Sequence, residues 1–74
     1  GVRSNAICPG LIKTKFSSAL WKNEAILNQI KNQLPAGRVA EPIEMSGLAV
    51  YLASSAGSYS TGGVYNADGG HMTI

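Results

Sequence analysis

One cysteine, one histidine, one tryptophan, one phenylalanine and four acidic residues are all that this 74-residue chain has of those types. A lone Cys8 cannot close an internal disulfide, which excludes a secreted scaffold held by cross-links and favours a reducing, cytoplasmic setting. Cys8 and His71 stand 63 positions apart, so no familiar ligand spacing exists and no metal is expected. No apolar run approaches the roughly 20 residues that cross a bilayer, and no basic head precedes an apolar core as in a signal peptide. A membrane partner is therefore not expected. Six Lys and Arg, scattered from Arg3 to Arg38, give a net charge of +2. Nucleic-acid binding would need them clustered on one face, so it too is excluded.

What remains is the composition of an ordinary globular protein, 45% hydrophobic and 14% charged. Folding a chain of this size buries only about 60% of the surface that its unfolded form exposes. Its own core is accordingly expected to be small.

The run "VRSNAIC" over residues 2 to 8 is short, apolar on both parities and closed by Pro9-Gly10. This predicts a strand, covered on both faces as in a parallel sheet, that stops at the breaker pair. Residues 15 to 22 suit either a short helix or an ordered loop. Asn23 is placed to cap a helix in which Leu27, Ile30 and Leu34 fall at helical spacing before Pro35 ends it. A further helix is predicted to start near Pro42, with Glu41 and Glu44 at its positive end and a stripe of Met45, Leu48, Ala49 and Leu52. The stretch "SSAGSYSTGG" breaks that pattern, and "VYNA" follows as a strand ended by Asp68-Gly69-Gly70. Two strands separated by helices and far more than a dozen residues make a βαβ crossover, so the expected fold class is α/β with a parallel sheet.

Chemistry is expected where the first strand stops. Pro9 lacks an N–H, and Gly10 admits backbone conformations closed to other residues. At the carboxyl end of a parallel strand such a break lies where open α/β sheets bind ligands. Thr14, four residues beyond Gly10, adds a hydroxyl that donates or accepts.

The segments "VRSNAICPGLIKT" and "GRVAEPIEMSGLAVYLASSAGSYSTGGVYNADGG" resemble the C-terminal third of the short-chain dehydrogenase/reductase family, in its order and spacing from Val2 to Gly70. The resemblance implies a doubly wound, Rossmann-type sheet, of which residues 1–74 would be the C-terminal βαβ portion of a single dinucleotide-binding domain. It implies NAD or NADP as cofactor, held at its nicotinamide end by the positions of Pro9, Gly10, Ile12 and Thr14. The Ile12 backbone would meet the carboxamide, and the Thr14 hydroxyl the carboxamide or pyrophosphate. Leu11, Phe16, Leu20 and Trp21 match the variable loop and helix that close over a small carbonyl or alcohol substrate. The run "PGLIKTKFSSALW" is most similar to the carbonyl and retinal reductase branch. Two departures stand out: Ser4 replaces an aliphatic strand residue, and Ala40 a glycine before Glu-Pro.

The family's glycine-rich loop, its Asn-Asn-Ala-Gly segment, its catalytic Ser and its Tyr-x-x-x-Lys pair have no counterpart here. Tyr51, Tyr59 and Tyr65 are followed four residues on by Ser55, Gly63 and Gly69 rather than lysine. No catalytic residue is therefore expected in the chain. The start at Gly1, directly before strand-like residues, fits a fragment whose catalytic groups lie upstream. The alternative is a truncated, non-enzymatic module that self-associates or pairs with a full-length relative through an exposed strand edge; on either reading a homo-oligomer is expected.

Plainer roles stand beside these. Cys8 reads as a small buried hydrophobe, Arg38 as a structural donor, Ser17 and Ser18 as capping or surface residues, and Lys13 and Lys15 as solvated loop lysines. His71 reads as solvated or at a subunit contact, and Asp68-Gly69-Gly70 as a tight turn with no helix after it. For Trp21, Phe16 and Leu20, packing of a short helix is as good a reading as a substrate lid.

Overall fold

The computed structural model describes residues 1–73. Two strands, β1 (Ala6–Pro9) and β2 (Val64–Ala67), pair in parallel with Ala6 opposite Val64 and Pro9 opposite Ala67. Between them lie α1 (Ser18–Trp21), α2 (Glu24–Gln33) and α3 (Ser46–Ala53), the last entered through a 3-10 turn over Pro42–Met45. This is the expected α/β crossover with parallel strands.

β1 stops at the Pro9-Gly10 pair as expected, but not for the expected reason. Ladder bonds at the two ends come from Ala6 N–H to the Gly63 carbonyl (2.9 Å) and Gly10 N–H to the Ala67 carbonyl (3.1 Å). Amides of the other parity, Ile7 and Pro9, therefore turn away from β2, so the missing N–H of Pro9 removes nothing from this pairing. Residues 2 to 5 differ as well, lying outside the strand. Asn5 uses its own amide group, donating to the Ser60 carbonyl and accepting from Gly63 N–H, both at 3.0 Å. Arg3 also donates to the Ser60 carbonyl, and the Ser4 amide donates to the Thr61 hydroxyl. Side chains stitch this end together where a ladder was predicted.

The helices follow their local signals. Asn23 Oδ1 accepts from Ala25 and Ile26 N–H, satisfying two of the orphan donors of α2. Glu44 reaches back to the Glu41 N–H at 2.7 Å, which fixes the turn leading into α3.

Coverage of the sheet is one-sided. Arg3, Asn5 and Ile7 share a groove with Ala49, Leu52 and Ala53, so α3 lies over the odd-numbered face of β1. Ala6, Cys8, Val64 and Asn66 on the other face are exposed. A strand covered on both faces and a buried Cys8 were expected; within the described residues neither is found. The radius of gyration is 14.4 Å, against about 11 Å for a compact chain of this length. Its accessible surface, 5337 Å², exceeds the roughly 4,300 Å² of a closed monomer of this mass. Among the described residues no apolar side chain is fully buried.

Candidate functional site

The carboxyl ends of β1 and β2 meet at Gly10 and Asp68. A Cβ on Gly10 would lie 2.7 Å from Asp68 Cα, closer than any side chain is tolerated. Gly10 does not adopt a left-handed φ, so close approach, and not the predicted conformational freedom, is what requires glycine. Beyond it the chain makes a second parallel contact. Lys13 N–H donates to the Ala40 carbonyl (2.9 Å) and Ala40 N–H to the Leu11 carbonyl (3.3 Å), placing Ile12 opposite Ala40. The flanking residues make these bonds, so the N–H and C=O of Ile12 point the other way. Its carbonyl accepts from Ser17 Oγ at 2.5 Å, and its N–H meets no acceptor among the described residues.

Thr14 and Ser17 form the next layer. Ser17 N–H donates to Thr14 Oγ1 (3.3 Å), Thr14 N–H donates to Ser17 Oγ (3.1 Å), and the two hydroxyl oxygens are 3.2 Å apart. Ser17 has one hydroxyl proton, and its shortest contact commits that proton to Ile12. The Thr14 proton is then the one with a choice, between Ser17 Oγ and an incoming acceptor. The sequence identifies Ser17 only as a capping or surface residue. Its central place here was legible, if at all, in the Thr-x-x-Ser spacing that lets a hydroxyl bond the amide three residues away.

The four candidate substrate residues separate. Leu11 and Leu20 line one apolar cleft of about 350 Å³ with Ile30, Leu34, Gln33 and His71. Trp21 turns elsewhere: its indole N–H donates to the Thr14 carbonyl at 2.9 Å, and the Lys13 and Lys22 ammonium groups lie 5.0 and 5.5 Å from its ring centre. Lys13 is an exposed loop lysine, as expected, and also lies over an aromatic face. Phe16 is wholly exposed and touches no part of the cleft.

The turn after β2 closes the cleft from below. Asp68 accepts from Gly70 N–H (3.0 Å) and Met72 N–H (3.2 Å), so a short 3-10 turn does begin at His71, where only a tight turn was expected. Gly70 has φ +91°, and a Cβ there would meet the Pro35 ring at 2.7 Å. Ala36 N–H donates to the Gly69 carbonyl at 2.9 Å, which seats the end of α2 beside the strand ends.

Away from the cleft, Arg38 grips Glu44 through two hydrogen bonds, 2.8 and 2.6 Å. That grip, aided by the Glu41 N–H, holds the Glu44 carboxyl down to about 2 and raises Arg38 above its ordinary value. The structural reading of Arg38 fits this geometry. No cluster of three His, Cys, Asp or Glu is found among the described residues, and none of their helices is long and apolar enough to cross a membrane.

A family profile described as enoyl-(acyl carrier protein) reductase matches residues 1–72. The chain belongs to the short-chain dehydrogenase/reductase family. A 3-alpha-(or 20-beta)-hydroxysteroid dehydrogenase of Mycobacterium tuberculosis is 49% identical over 70 residues, covering 95% of this chain and 24% of that protein. A solved gluconate 5-dehydrogenase from Burkholderia cenocepacia, in complex with NADP and tartrate, superposes with a TM-score of 0.94 at 31% identity; the match covers 100% of this chain and 29% of that one. A 4-hydroxyisoleucine dehydrogenase complexed with NADH gives 0.93 at 27% identity, over 99% of this chain and 30% of its own. The chain therefore spans 24–30% of the length of these relatives.

Proposed function

We propose that residues 1–74 are the C-terminal βαβ part of one dinucleotide-binding domain, and form the nicotinamide-side wall of an NAD(P)-dependent oxidoreductase acting on a carbonyl or alcohol. The observation that carries this reading is an Ile12 N–H without an acceptor among the described residues, two positions before the Thr14 hydroxyl, at the carboxyl ends of two parallel strands. A carboxamide presents one C=O and one NH₂. Ile12 N–H suits the first, and the Thr14 hydroxyl suits either, so these residues fit that end of the cofactor. Pro9 and Gly10 shape the approach, and the Gly10 contact with Asp68 fixes the floor.

When bound, the nicotinamide supplies or accepts a hydride at the substrate carbon. This chain orients that ring and shields one side of it. The proton donor and the rest of the nucleotide site are assigned to residues upstream of Gly1, since the tyrosines here carry no lysine four positions on. Leu11 and Leu20 face the substrate, while Trp21 acts indirectly by tethering the Thr14 carbonyl. Phe16 stays in the proposal as a lid residue that reaches the substrate only if the loop closes. The finer assignment to the carbonyl and retinal reductase branch rests on "PGLIKTKFSSALW". The exposed, unpaired Cys8 supports a reducing, cytoplasmic setting.

A second reading draws support from the bare sheet face: association as a homo-oligomer or with a longer relative, covering Ala6, Cys8 and Val64.

Thr14→Val tests the first reading, because it keeps the shape and removes the hydroxyl. In the enzyme carrying these residues it should weaken NAD(P)H binding about fivefold to tenfold, with little change in melting temperature. Unchanged cofactor affinity would remove Thr14 from the site.

A further inference from the structure

Resting on that reading, we infer that the substrate cleft selects an apolar ring or chain and disfavours a polyhydroxylated acid. Leu11 from the strand end, Leu20 from α1, Ile30 from α2 and Leu34 at its end converge on one space of about 350 Å³. That is within the roughly 300–1,000 Å³ of small-molecule sites. Three separate segments supply leucine or isoleucine to it, so the apolar character belongs to the cleft and not to one helix face.

The polar groups at its edge are few. Asp68 borders the cleft; one of its carboxylate oxygens accepts from Gly70 N–H and the other from Met72 N–H, which leaves each oxygen a single lone pair for a ligand hydroxyl. Gln33 and His71 remain. Among the described lining residues no Lys or Arg is present to meet a carboxylate. A sugar acid entering here would lose hydration around several hydroxyls and one charge and regain at most three side-chain partners, one of them a carboxylate facing its own. Buried polar groups without partners are discriminated against far more strongly than a missing methylene. An apolar ring loses nothing comparable and displaces water from four aliphatic side chains. Gln33 and His71, at the rim, are then placed to orient the one polar end of such a molecule.

The test compares reduction of 2-decalone and 5-ketogluconate by the enzyme carrying these residues, with NADPH and with NADH. The inference expects kcat/KM for 2-decalone to exceed that for 5-ketogluconate by at least about a hundredfold. Leu20→Ala should lower the 2-decalone value roughly tenfold, mainly through KM, and Leu20→Met should restore most of it. Leu20 is 44% exposed, so both variants are expected to fold, and a melting curve checks that they do. Preference for 5-ketogluconate, or a 2-decalone KM indifferent to both variants, would overturn the inference while leaving the oxidoreductase reading standing. Absence of NAD(P)H binding to the folded enzyme would overturn that reading, and this inference with it.

Discussion

The two ends of the β1–β2 ladder are fastened in different ways. At the amino end, Arg3 and Asn5 side chains tie down the Ser60 carbonyl, and Asn5 also takes Gly63 N–H, so few polar groups are left over. At the carboxyl end the backbones touch directly, Gly10 against Asp68, and the next segment leaves the Ile12 N–H without an acceptor among the described residues. One end is saturated and structural. The other is close-packed yet keeps a donor in hand, which is the condition of a binding site.

Gly10→Ala should break the carboxyl end most severely. Its methyl group would displace the Asp68 backbone, costing about 1–3 kcal/mol of stability and reducing NAD(P)H affinity together. Thermal melts and cofactor titration on the same sample check both. Asn5→Ala acts on the amino end, where two half-buried hydrogen bonds disappear. About 2 kcal/mol of stability should be lost with cofactor affinity retained, and that split is what separates the two ends.

The smallest effect belongs to the Arg38–Glu44 pair, which borders the carboxyl end together with Leu11, Ala67 and Asp68. Glu44 is held at about 2, below its ordinary 4.5, so its contribution is complete above 4.5 and is lost as pH falls through 2. The pair is exposed and screened. Glu44→Gln should lower the melting temperature by about 2 °C at pH 6, and the gap between variant and parent should close as pH approaches 2.

Much of this was readable from the sequence where the signal is local. Asn23 capping α2, the Leu27, Ile30 and Leu34 spacing, and Glu41-Pro42 opening the turn before α3 depend only on neighbours along the chain. The misreadings depend on a partner. The strand ends at Pro9 as the sequence suggests, but whether the missing N–H matters turns on which parity faces the neighbouring strand, and that of Pro9 faces away. Whether residues 2 to 5 pair as backbone turns on Asn5 reaching residues more than fifty positions away. The reason for Gly10 lies in Asp68, and the reason Leu20 and Trp21 part company lies in the Thr14 carbonyl that captures the indole. Spacing shows none of these.

The central claim concerns a single amide. With the enzyme labelled in ¹⁵N, addition of NADH should move the Ile12 amide resonance, with a smaller shift at Thr14 and almost none at Asn5 or Gly63. If cofactor binds and the Ile12 resonance stays where it was, the nicotinamide wall is somewhere else.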